Sequence, residues 1–166
     1  MNMDKILKDR ENRYSTVLKL SKKNKAPVLT AKINYPGDNK NTHRIEKIFI
    51  TLKNMIKDEF KKEIIETKEL QGYDGPSFLC SLKGEAETLK TKAVKIEEKK
   101  EVGRLFDVDI YVNGTPVSRR DLELQTRKCI ICGEDTYNCR INNLHSKEEV
   151  KEEMNRRIDS YLSKDD

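Results

Sequence analysis

Apolar positions along the chain follow two rhythms, one of three to four residues and one of two. Over residues 3–23, Ile6, Leu7, Tyr14, Val17 and Leu18 form one stripe at helical spacing. A denser stripe, Ile45, Ile48, Phe49, Leu52, Met55, Ile56 and Phe60, follows Thr42, whose hydroxyl suits an N-cap. A third helix opens at Ser146 with Glu149 three residues on, a capping-box pair, and carries Val150, Met154, Ile158 and Leu162. Between these lie strand-like runs at 27–35, 64–70 and 77–82, with turns at Pro36-Gly37-Asp38-Asn39 and Gly72-Tyr73-Asp74-Gly75-Pro76. Gly84 precedes a short helix at 85–90. The alternation of Val94 and Ile96 with charged neighbours predicts a further strand at 92–98.

Residues 103–112 carry the sharpest pattern. The reading starts a buried strand at Leu105 and puts Phe106, Val108, Ile110 and Val112 on one face, with Asp107, Asp109 and Tyr111 on the other. Asn113-Gly114 then turns the chain. The order strand, helix, strand, strand, helix, strand, followed by one more strand, fits a split β-α-β core. The predicted fold class is α+β: a single domain over 1–166, a mixed or antiparallel sheet, helices mainly on one face, and a Cys/His-bearing subregion at about 118–166 ending in a helix.

Asp107 and Asp109 lie about 6.6 Å apart along one strand face, where two carboxylates repel unless a cation sits between them. Divalent metal is the usual remedy, and phosphoryl or nucleotidyl transfer the usual reason. A solvated strand face is the plain alternative, because D-x-D is short and common. If 92–98 pairs with the D-x-D strand, Glu97 adds a third carboxylate. A guanidinium matches a phosphate in both geometry and charge. Arg104 precedes the acid pair, Arg119-Arg120 and Arg127-Lys128 follow it, and Arg10 and Arg13 share a side of the first helix.

Composition narrows the classes. With 38% charged residues and no Trp, the core falls to Ile, Leu and Val. The net charge of +5 suits an anionic ligand or an acidic partner without demanding nucleic acid. No apolar run approaches a membrane span, and Met1-Asn2-Met3-Asp4-Lys5 does not open a signal peptide. Four cysteines in that setting point to reduced thiols and a cytoplasmic protein. Three of them, with one histidine, are spaced Cys129-x2-Cys132-x6-Cys139-x5-His145, a set that structural Zn²⁺ would fill; a redox dithiol and inert thiols stay open as alternatives. There is no P-loop, no G-x-S-x-G elbow and no dinucleotide fingerprint.

Together these residues resemble the citrate lyase holo-acyl-carrier-protein synthases, the apo-citrate lyase phosphoribosyl-dephospho-CoA transferases. The likeness covers nearly the whole chain. It rests on Gly103-Arg104-Leu105-x-Asp107-x-Asp109, Ser118-Arg119-Arg120, Arg127-x-Cys129-x-x-Cys132, Cys139-Arg140 and His145, and upstream on Asp9-Arg10-Glu11-x-Arg13, Pro36-Gly37 and Glu97. Two departures stand out. Phe106 replaces the family's usual Trp, and Gln125-Thr126-Arg127-Lys128 replaces a proline-containing segment with a second arginine.

The resemblance implies transfer of the triphosphoribosyl-dephospho-CoA prosthetic group to a serine of the acyl-carrier (gamma) subunit of citrate lyase, with release of pyrophosphate. It implies Mg²⁺ on Asp107 and Asp109, with Glu97 as the third catalytic carboxylate. Arg104, Arg119, Arg120, Arg10 and Arg13 would bind the donor's phosphates. A zinc-stabilised nucleic-acid-binding module is the competing reading, opposed by the small charge excess and the lack of aromatics among the basic residues. A non-catalytic assembly factor, indifferent to loss of both aspartates, is a third.

Overall fold

Five strands form one antiparallel sheet in the order β2-β3-β1-β4-β5 in the computed structural model, which describes residues 3–164. The strands are β1 (Val28–Ile33), β2 (Ile64–Leu70), β3 (Ser77–Leu82), β4 (Phe106–Val112) and the short β5 (Thr115–Pro116). The helices are α1 (Met3–Asn24), α2 (His43–Glu59), α3 (Ala86–Glu97), α4 (Thr136–Ile141) and α5 (Lys147–Ser163). The predicted span 1–166 also includes residues 1–2 and 165–166, which lie outside those described.

The middle of the chain runs β1-α2-β2-β3-α3-β4 with β1 central, which is the split β-α-β arrangement. One expected element is corrected: 92–98 is not a strand but the second half of α3 with Glu98 as its C-cap. Leu89, Ala93 and Ile96 recur at helical intervals and all reach the core, and this burial overrides the local alternation of Val94 and Ile96. The D-x-D strand thereby becomes the fourth of the core. The same strand begins at Phe106, because Gly103–Leu105 form a 3-10 turn. Gly103 is required there, since a Cβ would lie 2.5 Å from the Glu97 carbonyl oxygen at the end of α3.

Most of the core lies on one face. Leu29, Ala31 and Ile33 of β1, Phe78 and Cys80 of β3, and Phe106, Val108 and Ile110 of β4 pack there against α2, α3 and α5. Cys80 is fully buried, as expected of a small core residue, and burial pushes its thiol up to about 12. Thr42 caps α2 by accepting from the Ile45 N–H, and Ser146 and Glu149 form the expected capping box of α5. α1 covers the opposite face, where Val17 and Leu20 meet Val28 and Leu79. Cross-strand partners share a face, so the pairings Asp107↔Lys32, Asp109↔Thr30 and Tyr111↔Val28 put the acid pair on the α1 side of the sheet.

Candidate active site

Alternation in β4 turns Asp107 and Asp109 away from the packed core. Lys32 Nζ and Arg127 Nη1 each lie 3.8 Å from Asp107, and Lys90 Nζ lies 3.7 Å from Asp109. These separations neutralise charge but exceed the roughly 2.7–3.2 Å of an N–H···O hydrogen bond. Both carboxylates are thus ion-paired, at separations looser than a hydrogen bond, and their side chains stay 28% and 40% exposed. Burial raises the proton affinity of Asp109 above the usual carboxylate range and the charge of Asp107 adds to the rise, opposed by Lys90. Lys32, Arg127 and Lys90 offset the repulsion between the two acids.

Glu97 arrives at this strand from α3, not from a hairpin partner. Its carboxylate accepts from the Val108 N–H at 3.3 Å, capping the free edge of β4, and holds Arg127 at 2.8 Å and Arg119 at 3.2 Å. Arg127 also donates to the Phe106 carbonyl at 2.7 Å. Glu97 thus gathers two guanidinium groups at the edge of the D-x-D strand.

Arg104 leaves the 3-10 turn between the two basic regions. Its Nε donates to the Lys128 carbonyl and its Nη2 to the Thr136 hydroxyl at 3.4 Å. Its Nη1 is buried and has no partner. Burial, reinforced by the charge of Arg127, pushes Arg104 down to about 10, so it remains a cation at neutral pH. Arg104 lines two cavities. The larger, about 340 Å³, is walled by Arg10, Lys32, Lys40, Arg104 and Lys147 against one acid, Asp38. The smaller, about 220 Å³, is walled by Arg104, Arg119, Arg127 and Lys128 with Glu97 and Glu98.

Asp74, a turn residue in the sequence, is fully buried and anchors α1 and Lys40. Lys40 lies at 2.8 Å, Arg13 at 2.9 Å and Arg10 at 3.5 Å from its carboxylate. Arg10 and Arg13 do share a helix side, and that side is spent largely on this acid. Burial alone would raise the Asp74 carboxyl. The Lys40 bond, the charge of Lys32 and the Arg13 bond outweigh it and hold the group at about 2.

The folded-state value is depressed, so the stabilisation is complete above the unfolded carboxylate range, near about pH 4, and is lost as pH falls toward 2. Asp74→Asn is expected to cost about 3 kcal/mol at pH 7, because it strips the partner from a buried cation cluster. In urea melts the gap between variant and parent should close as the pH approaches 2.

The Cys/His group is assembled by the loop before α4, by α4 itself and by the segment leading into α5. One ligand atom from each of Cys129, Cys132, Cys139 and His145 lies within 4.8 Å of every other. The Cys132 and Cys139 sulfurs are 3.4 Å apart. Gly133, at φ +76°, closes the loop by donating to the Cys129 carbonyl at 3.0 Å. His145 Nε2 is buried and has no hydrogen-bond partner. Three thiols and an otherwise orphaned imidazole nitrogen suit a tetrahedral metal such as zinc, whose sulfurs sit about 2.3 Å from the ion and hence about 3.8 Å from one another.

Asp107, Asp109, Glu97, Arg104, Arg119 and Arg127 therefore converge along β4 and its edge. Arg10 joins them through the larger cavity, while Arg13 is taken up by Asp74. Arg120 is exposed and lines neither cavity. Sequence reasoning missed Lys32, Lys40, Asp74 and Lys90. Only Lys32 left a signal, as the one charge inside the otherwise mostly apolar run Val28–Ile33.

Comparison with known proteins identifies the family. The family model described as apo-citrate lyase phosphoribosyl-dephospho-CoA transferase (CitX) matches residues 1–161. A transferase of that name from Escherichia coli O1:K1 / APEC is 24% identical over 158 residues, covering 93% of this chain and 86% of its own length. Protein CitXG of Leuconostoc mesenteroides subsp. cremoris is 26% identical over 166 residues, covering 97% of this chain. The chain spans only 36% of that longer protein. The chain belongs to the apo-citrate lyase phosphoribosyl-dephospho-CoA transferase family, a family of transferases.

Proposed function

We propose that the protein transfers the triphosphoribosyl-dephospho-CoA prosthetic group to a serine of the acyl-carrier (gamma) subunit of apo-citrate lyase and releases pyrophosphate. The observation that carries this reading is Arg104. Arg104 lines both cation-walled cavities, its Nη1 is buried without a partner, and its turn leads directly into the strand that bears Asp107 and Asp109. A buried guanidinium nitrogen without an acceptor is costly and calls for an anionic ligand.

The serine hydroxyl attacks the donor's α-phosphorus. An Oγ–P bond forms, the bond from that phosphorus to the pyrophosphate oxygen breaks, and the hydroxyl proton passes to solvent. Asp107 and Asp109 would hold Mg²⁺, which when bound activates the hydroxyl and neutralises the leaving group. Arg104 and Arg10 bind the donor's phosphates from the larger cavity. Arg119 and Arg127, fixed by Glu97, bound the smaller cavity, and Glu97 acts by positioning them. Arg120, exposed nearby, meets the donor or the carrier. The net positive surface draws an acidic carrier protein.

Lys32 bridges the two halves of the site. It faces Asp107 across the β1–β4 pair and lines the larger cavity. Lys32→Met is expected to lower kcat about 10²-fold with a smaller change in donor KM, because a cation at this position serves the charge that develops as pyrophosphate leaves. Lys32→Arg should restore part of the rate in the same steady-state assay.

Among the described residues no helix is long and apolar enough to cross a membrane, and the four cysteines are free thiols. We place the protein's work in the cytoplasm. The reading is tested by pyrophosphate release with apo-carrier and donor, with and without Mg²⁺. Metal-dependent release supports it. No release, together with RNA or DNA affinity that falls steeply in rising salt, would favour the nucleic-acid module.

A further inference from the structure

We infer that Cys129, Cys132, Cys139 and His145 bind one zinc ion, and that this closed site positions Arg104 and Arg127 to meet the donor's phosphates. The second half rests on the transferase reading; the first does not.

The metal site stands on the donor set and on what surrounds it. Three sulfurs and a ring nitrogen of His145 are drawn together, and the imidazole Nε2 is buried without a hydrogen-bond partner. Cys129 and Cys139 are buried, while Cys132 closes the site from the exposed side. With four protein ligands no coordination position is left for substrate, so the ion's role is structural.

The connection to the arginines is direct and runs through the chain on either side of the first cysteine. Arg127 precedes Cys129 by two residues, and its own carbonyl accepts from Thr136 N–H at 3.0 Å. Lys128, next to Cys129, gives its carbonyl to Arg104 Nε. Thr136 opens α4, the helix that carries Cys139, and its hydroxyl accepts from Arg104 Nη2 at 3.4 Å. The loop is tied across by Cys129 N–H to the Glu134 carbonyl at 2.6 Å and by Thr126 to Asp135 at 2.7 Å.

Both acceptors that aim Arg104 thus belong to the loop that the four ligands fold. The far side is braced by Arg157 of α5, which donates to the Ile130 carbonyl at 2.9 Å. This loop has little apolar filling of its own, and Ile131, Tyr137, Ile141 and Leu144 are exposed. A metal is the element that would hold it rigid enough to fix two guanidinium groups.

The test uses the full chain. Zinc content is measured on protein purified without chelator, and Co²⁺ exchange reads ligand type through thiolate charge-transfer and tetrahedral d–d absorption. One zinc per chain is expected, falling in His145→Ala and Cys132→Ser. Pyrophosphate binding is then titrated in zinc-loaded, zinc-stripped and Arg104→Ala proteins, with far-UV circular dichroism confirming the sheet in each. Stripping zinc should weaken pyrophosphate binding about tenfold or more, and zinc return should restore it. Stripping zinc from Arg104→Ala should add less than about a twofold further loss, because the two changes act through one contact network.

Absence of zinc and of a cobalt–thiolate spectrum overturns the metal site. Zinc present with equal pyrophosphate affinity in loaded and stripped protein, or fully additive losses, overturns the positioning role. A zinc-loaded parent that fails to bind pyrophosphate overturns the phosphate reading, and the coupling with it, while leaving the metal site standing.

Discussion

Asp107→Asn is expected to reduce prosthetic-group transfer by at least about 10³-fold, the loss corresponding to the several kcal/mol of charge stabilisation that a carboxylate-bound divalent ion supplies. The substitution keeps shape and removes one negative charge. Asp107 is partly exposed and its cations stand 3.8 Å away, so little folding energy depends on it. The melting temperature should therefore stay close to the parent's. In single-turnover assays the residual rate should also need more Mg²⁺ to saturate. A variant with full activity would refute the metal-binding role of β4, and one that fails to fold would show Asp107 to be structural.

The second large effect is expected at Arg104. Arg104→Lys keeps a cation and loses the planar fork, so the nitrogen now buried without an acceptor and the paired contacts to Lys128 and Thr136 cannot all be replaced. A fall of about 10²-fold in kcat/KM for the donor is expected, with KM for the carrier little changed, because charge-assisted phosphate contacts are worth about 1.5–3 kcal/mol each. Arg104→Ala should lose about tenfold more and should loosen the 127–136 loop. Comparing the two variants separates phosphate binding from support of the loop. Unchanged donor kinetics in both would remove Arg104 from the site.

Much of this fold was legible because burial followed periodicity. β2 and β3 match the expected 64–70 and 77–82, and the helix caps at Thr42 and Ser146 sit where their hydroxyls predicted. The error at 92–98 has a clear cause: Val94 and Ile96 alternate as a strand would, while the helical set Leu89, Ala93 and Ile96 is visible only over a longer window. α4, six residues long, has too few turns to leave a periodic trace.

The site divides in the same way. Asp107 and Asp109 were readable from strand alternation, and the Cys/His group from spacing. Asp74 and Lys90 were not, because each gains its partner through tertiary contact. Asp74 lies in a turn whose sequence reports only the turn, yet it meets α1 across a separation of 61 residues to Arg13. Glu97 does lie near β4, but it reaches the strand edge from a helix end, not from a hairpin partner, and spends its carboxylate on arginines.

Intact mass of the acyl-carrier subunit tests the account most directly. Apo-carrier is incubated with this protein, the triphosphoribosyl-dephospho-CoA donor and Mg²⁺, and the product is weighed. The expected result is a gain equal to the donor less pyrophosphate, located on a single serine and absent with Asp107→Asn. A carrier whose mass does not change, with intact donor and folded protein in the same tube, would contradict it.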